Sequence, residues 1–477
     1  MIHRILNGMT TGKLKILNKE ICKMSNTVNI LDFGAVANSD KLQSDKIQAA
    51  IDHCFTNGGG EVVVPEGVYL IGDIRLRSNI TLHLMKNAVL KGSVNPDDYF
   101  NICNDKIEPF ENVERVPWLP ATQRTPEYSH KLLYTEASFW KCGMIRILDA
   151  ENVSVIGEEG SVIDGSNCYN PNGEEMFRGP HGFSIARCKN LYFTGYTIIR
   201  TGNWAHCTME SRDIKVENIT VLAGHDGVHF RGCDNVLVRN CTIKSGDDSV
   251  AGFDNRNVHV HNCYLSSACN VFRFGGRDVL IEDCEVVGPC EYPFRGSLTP
   301  EEKAQRVEDS KTARRNALTF YTYFVDHSRK LRFTAGNILV RNCTVTNVDR
   351  MFRLNLSGAE PWQKGTPPED ITFENITVKG TVKAANAYGN DELPFKLTMK
   401  NIDYTLKDGF EEKSFINLGK YGEIVFEDVT IHNFKGNELI KTWGDKDKII
   451  LKNFVCDGVD NDNFVVEAED EFDLKYI

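Results

Sequence analysis

The chain is predicted to be all-β, a right-handed parallel β-helix built of coils of about 22 residues, with a capping helix at its N-terminal end. The first observation behind this is a phrase that recurs along the sequence. It reads NLYFTGYTI from Asn190, DIKVENITV from Asp213, NVLVRNCTI from Asn235, NVHVHNCYL from Asn257, DVLIEDCEV from Asp278, NILVRNCTV from Asn337, DITFENITV from Asp370 and EIVFEDVTI from Glu423. The second is the alternation of apolar and polar side chains inside each copy, as with Val236 and Val238 around Leu237 and Arg239, which marks short half-buried strands. The third is the spacing: the central copies begin at 190, 213, 235, 257 and 278, in steps of 21 to 23 residues. Such a step is too short for strand, crossover helix and strand. It fits one coil of a solenoid whose equivalent strands pair in parallel, and the right-handed preference of parallel crossovers sets the hand.

Taken in order, residues 1–26 resemble nothing that follows and are expected to form an N-terminal tail. Residues 27–477 are expected to form one β-helical domain with insertions near 100–140 and 288–336. From Ser44 to Thr56, Ile47, Ala50, Ile51, Cys54 and Phe55 fall on one helical face, with Ser44 as the N-cap and Gly58 just past the end. This helix is expected to cover the open apolar end of the coil stack. Within the repeat, Cys241, Cys263, Cys284 and Cys343 occupy the seventh position, where Ile219 and Ile376 stand in other copies. A site that accepts isoleucine is apolar, so stacked thiols there are core residues rather than metal ligands. The preceding position holds Asn218, Asn240, Asn262, Asn342 and Asn375, with Asp283 and Asp428 as variants, which predicts a side-chain ladder at a turn.

Of the 477 residues, 41% are hydrophobic and 25% charged, the balance of an ordinary globular protein. Lys and Arg number 55 against 66 Asp and Glu, a net charge of −11 without a basic tract, which argues against nucleic acid or an anionic membrane as partner. No run approaches the roughly 20 apolar residues of a membrane helix, and the first residues lack the apolar stretch of an export signal. A cytoplasmic location and free thiols are therefore expected for the 15 cysteines.

The chemistry is expected at the turns. Thirteen residues beyond the first residue of successive copies stand Asp226, Asp248 and Asn270, and one residue earlier His225, Asp247 and Cys269. Coils lie roughly 4.8 Å apart, so three carboxylates, Asp226, Asp247 and Asp248, should converge, and like charges at that distance raise at least one pKa. An Asp-Asp pair alone is usually only a polar turn. Registration with a second acid, with His225 and His229, and with Arg273 makes acid/base chemistry the stronger reading.

At these residues the sequence resembles glycoside hydrolase family 28, the polygalacturonase-like enzymes of the pectin-lyase-like β-helix superfamily. The segments ILDFGAVANSDKLQSDKIQAAID, NGGGEVVVPEGVYLIGDI, NITLHLMKNAVLKGS and GSVIDG look like its N-terminal signature. TGNWAHC around Trp204 looks like the segment before its catalytic coils, GHDG like its Asn-Thr-Asp-Gly motif and SGDDSV like its Gly-Asp-Asp motif. The resemblance implies that Asp247 is the general acid and that Asp226 and Asp248 position and deprotonate water, with inversion at the sugar carbon. It implies no cofactor and no metal, and an oligosaccharide or polysaccharide substrate related to pectin. Two motifs depart from the family: Asn270 takes the histidine of Gly-His-Gly, and the Arg-Ile-Lys motif, expected near NALTFY, is absent. The substrate carboxylate contact then falls to Arg273, or to Arg295, Lys311, Arg314 and Arg315 of the insertion, unless these form a solvated loop. His225, His229 and Asn270 are further candidate substrate contacts, and Trp204 either stacks on a sugar or packs in the interior. Exo-action on oligosaccharides is the expected mode. A β-helical lyase or epimerase, which would use Arg273 to neutralise a carboxylate, and a non-catalytic carbohydrate-binding solenoid are the alternatives.

Overall fold

The computed structural model describes residues 26–99, 142–171, 177–307, 310–325, 331–355, 366–390, 393–436, 438–443, 448–457, 466–468 and 473–476. The expected tail and the insertion near 100–140 lie outside these residues, apart from Asn26. The rest is a right-handed parallel β-helix whose strands form one continuous parallel sheet.

One coil shows how the repeat builds it. The strands Val228–Arg231, Asp234–Arg239 and Thr242–Ser245 form three faces, and each pairs with the next coil at a constant offset, Val228 with Val250, Val236 with Val258 and Thr242 with Tyr264. The alternation seen in the sequence places Val236, Val238 and Ile243 in the interior, all at most 2% exposed. A constant offset stacks identical positions, so every side-chain type forms a column.

Two columns explain why the sequence repeats. The predicted ladder is present: Asn240 donates to Asn218 (3.2 Å), Asn262 to Asn240 (2.7 Å) and Asn375 to Asn342 (3.0 Å). A second ladder, which the first residues of the phrases encode, joins Asn235 to Asp213 (2.7 Å) and Asn257 to Asn235 (2.8 Å). All of these residues have left-handed backbones, with φ of 54° at Asn240 and 57° at Asn235, a conformation that Asn and Asp tolerate better than other non-glycine residues. The thiols of Cys241, Cys263, Cys284 and Cys343 lie inside, each donating to the carbonyl two residues before it at 3.2–3.3 Å. Among the described residues every cysteine is a free thiol.

The helix Ser44–Thr56 forms at the N-terminal end and buries Ile47, Ala50, Ile51 and Cys54 against the first coils. Its N-cap is Gln43, not Ser44; the Ser44 hydroxyl instead accepts from the Gly72 amide (2.9 Å), which ties the helix to the coil beneath. Phe55, expected on the buried face, is 44% exposed, with the Arg77 guanidinium over its ring.

Candidate active site

Asp226, Asp247 and Asp248 lie in the turns that lead from the third strand of one coil to the first strand of the next. The coils are joined there by backbone hydrogen bonds from the Gly227 amide to the Asp248 carbonyl (2.8 Å), from Asp247 to His225 (3.3 Å) and from Ser249 to Asn270 (3.1 Å). The two columns read from the sequence are thus columns in space. All three aspartates are buried, and the nearest oxygens of Asp247 and Asp248 lie within 4.8 Å of each other and of the Cys269 sulfur. Gly246 lets the turn sit tight, since a β-carbon there would meet the carbonyl oxygens of Gly224 (2.5 Å) and Pro293 (2.6 Å).

Each carboxylate has its own partners. Asp226 accepts from His229 Nδ1 (2.6 Å), whose Nε2 in turn accepts from Arg231 Nε (2.9 Å), so His229 is the neutral tautomer with its proton aimed at Asp226. Burial, with the Arg231 charge adding to it, holds the His229 pKa well below its ordinary value. Asp248 accepts from both the side-chain nitrogen (2.8 Å) and the backbone amide (3.1 Å) of Asn270, and Arg273 lies 3.7 Å away. Asp247 lies 3.4 Å from Arg178 and 3.9 Å from His225.

These surroundings separate the three titrations. Burial and then the charges of Asp247 and Asp248 push Asp226 well above the usual carboxylate range, and burial with the Asp247 charge pushes Asp248 up to about 6. Burial would also raise Asp247, but contact with His225 and the charges of Arg178 and Arg273 outweigh it and hold this carboxyl below its ordinary value. Burial, reinforced by Arg178, lowers His225 to about 3, so it is neutral. The free site therefore carries a proton on the Asp226 and Asp248 side beside an ionised Asp247, which is acid/base equipment.

The remaining candidates divide. His225, His229, Asn270 and Arg273 all join the cluster. Trp204 does not offer a face to a sugar: it is 2% exposed and lies flat on His229, with ring centroids 3.8 Å apart, supporting the His229–Asp226 pair from behind. In the insertion, Arg295 is buried and donates to the Thr201 carbonyl (2.5 Å) and to Asn167, while Arg315 donates to Ser310 and Glu291 carbonyls; both hold the loop together. Lys311 is exposed. Arg314 reaches the cluster, donating to Cys269 Sγ (3.7 Å). Phe177, 5.6 Å from His225, carries Lys303 of the insertion over its ring (4.3 Å), so the insertion walls one side of the site. Arg178 and Cys269 escaped the sequence reading as site residues. Cys269 could have been found, because it completes the column of His225 and Asp247; Arg178 lies outside the repeat and left no signal.

Comparison with known proteins matches residues 130–269 to the family described as Glycosyl hydrolases family 28, a span that contains all three aspartates. An exo-poly-alpha-D-galacturonosidase of Dickeya chrysanthemi is 34% identical over 93 residues, which are 20% of this chain and 15% of the relative. A probable polygalacturonase of Vitis vinifera is 24% identical over 226 residues, 45% of this chain and 41% of the relative, so both matches span less than half of the relatives' length. Among solved structures, a family 28 exopolygalacturonase of Yersinia enterocolitica aligns with a TM-score of 0.57 and 15% identity, covering 94% of this chain and 78% of that one, a likeness of fold.

Proposed function

We propose that this chain is a glycoside hydrolase that cleaves an α-glycosidic bond at the end of pectin-derived or related oligosaccharides, with inversion. The observation that carries the reading is the stacking of Asp226 on the Asp247–Asp248 turn of the adjacent coil, inside the segment that matches family 28. Asp247 protonates the leaving oxygen as the bond to the anomeric carbon breaks. Water held by Asp226 and Asp248 attacks that carbon and gives its proton to the carboxylate side of the pair. In the free site Asp247 is the most ionised of the three, and the substrate corrects this. A uronate carboxylate drawn to Arg178 and Arg273 takes those charges off Asp247, and the proton held on the Asp226 and Asp248 side redistributes to it. Neutral sugars lack that charge and make poorer substrates. The wall formed by Phe177, Lys303 and the insertion supports exo-action.

A retaining outcome is the second reading. The 4.8 Å limit on the Asp247–Asp248 approach is shorter than the roughly 6.5–9.5 Å usual for inverting pairs. The test incubates wild type and Asp247→Asn with galacturonate and neutral oligosaccharides and identifies the products by mass spectrometry. A water-added monosaccharide made by wild type alone supports hydrolysis from an end; an unsaturated product means a lyase, and mixed internal fragments mean endo-action.

A further inference from the structure

The face that carries the catalytic turns continues for several coils toward the C-terminus, and its outward positions align from coil to coil, buried at Thr322 and partly exposed from Arg353 onward. Strand register aligns Arg273 with Thr322, Thr322 with Arg353, Arg353 with Asn386, Asn386 with Asn417 and Asn417 with Lys441. Two residues further along three of these strands the register aligns Tyr388, Gly419 and Trp443. Gly419 is what makes this second column an aromatic shelf. A β-carbon there would meet the Trp443 indole at 2.4 Å, so the ring lies across the bare backbone, its centroid 4.8 Å from that of Tyr388. Both rings are partly exposed. The charges of Arg350 and Arg353 act on the Tyr388 hydroxyl, as does that of Glu412, whose carboxylate is engaged by the Ala384 amide (2.7 Å). Beside the shelf the amides of Asn386 and Asn417 stand 3.0 Å apart on adjacent coils.

We infer that Tyr388 and Trp443, flanked by Arg353 and Lys441, form a secondary binding site for an acidic polysaccharide chain that runs along the coils from the catalytic turns. Four coil steps separate the strand after Asp248 from that of Tyr388, roughly 19 Å at the usual interstrand spacing, and two more reach Trp443. One coil step is close to the length of one sugar residue in an extended chain, so each coil meets about one residue of a chain lying along the stack. Aromatic faces suit the apolar face of a pyranose, amides its hydroxyls and guanidinium groups its carboxylate. The inference rests on the carbohydrate reading of the catalytic turns but not on cleavage, so its test uses binding.

Affinities of the Asp247→Asn protein for a long polygalacturonate fragment and for digalacturonate are compared with those of Asp247→Asn carrying Tyr388→Ala, and of a third protein carrying Lys441→Gln in place of Tyr388→Ala. The Tyr388 change is expected to weaken the long ligand about three- to tenfold and to leave digalacturonate unchanged, and Lys441→Gln, at a partly exposed position, to act in the same direction and to flatten the salt dependence. Equal affinities for the long ligand in all three proteins would overturn the inference, as would an equal loss for both ligands. Failure of the parent to bind polygalacturonate also overturns it; release of a monosaccharide from digalacturonate by the wild-type protein then shows that the proposed hydrolysis stands without it.

Discussion

Replacing Asn270 by Ala isolates one contact of the proposed water-activating pair. The Asn270 side chain donates to Asp248 Oδ1 at 2.8 Å, and Thr322 Oγ1 holds the amide by donating to its oxygen at 3.1 Å. A hydrogen bond to a charged group contributes about 1.5–3 kcal/mol, and each pKa unit corresponds to about 1.36 kcal/mol, so loss of the bond raises the Asp248 pKa by roughly one to two units. The backbone amide of Asn270 keeps donating to the same oxygen, which favours the lower figure. The free carboxyl sits at about 6 because of burial and the Asp247 charge, so the variant should titrate near 7. Asp248 must be ionised to take a proton from water, so the acid limb of the kcat/KM profile should move up by about one unit. At pH 6 the ionised fraction falls from about one half to about one tenth, a loss of about fivefold, and at pH 8 the two proteins should be nearly equal. The assay is kcat/KM for oligogalacturonate between pH 4 and 8. An unmoved acid limb, or a loss of the same size at every pH, would refute the reasoning.

Other outcomes follow from the same structure. Asp247→Asn should lower kcat by about 10²–10⁴, since the proton donor to the leaving oxygen is removed without a change in volume; steady-state kinetics check it. His206 is buried, its Nε2 3.0 Å from the Tyr196 hydroxyl, and burial lowers it to about 3. The unfolded imidazole takes up a proton below about pH 6.5 while the native one does not, so stability falls as pH drops from 6.5 toward 3, by about 2 kcal/mol at pH 5. Denaturant unfolding of His206→Asn should accordingly show a shallower loss between pH 6.5 and 5 than wild type. Asn240→Ala removes two ladder bonds and forces Ala into φ 54°, and should cost about 1–3 kcal/mol in urea unfolding; a neutral result would mean the ladder is decorative.

The sequence exposed those parts of the site that obey the repeat. Asp226, Asp248 and Asn270, and His225, Asp247 and Cys269, became neighbours by counting, because the coil offset is constant and a parallel ladder preserves it. Groups that reach the site from outside the repeat could not be counted in: Arg178 precedes the strand His181–Ala186 and Lys303 arrives on the insertion, whose Arg314 was named for its charge and not for its position. Side-chain direction was equally hidden. Trp204 stood in the right segment, but only the fold shows that its ring is spent on His229. At the N-terminal cap the helix bounds were legible from periodicity, whereas the exchange of Ser44 for Gln43 at the N-cap was decided by the tertiary hydrogen bond to Gly72. The second ladder was present in plain letters, in the Asn and Asp that open each phrase, and its meaning required the left-handed backbone beneath it.

The most direct test of the central claim, hydrolysis by inversion at three stacked aspartates, is proton NMR of the first sugar released from an α-linked oligogalacturonate, followed before mutarotation sets in. The account predicts that the β-anomer appears first with wild type and that Asp247→Asn releases product about 10²–10⁴ times more slowly. Initial release of the α-anomer would mean retention and would recast Asp247 and Asp248 as an acid and a nucleophile, and an unsaturated end would contradict hydrolysis altogether.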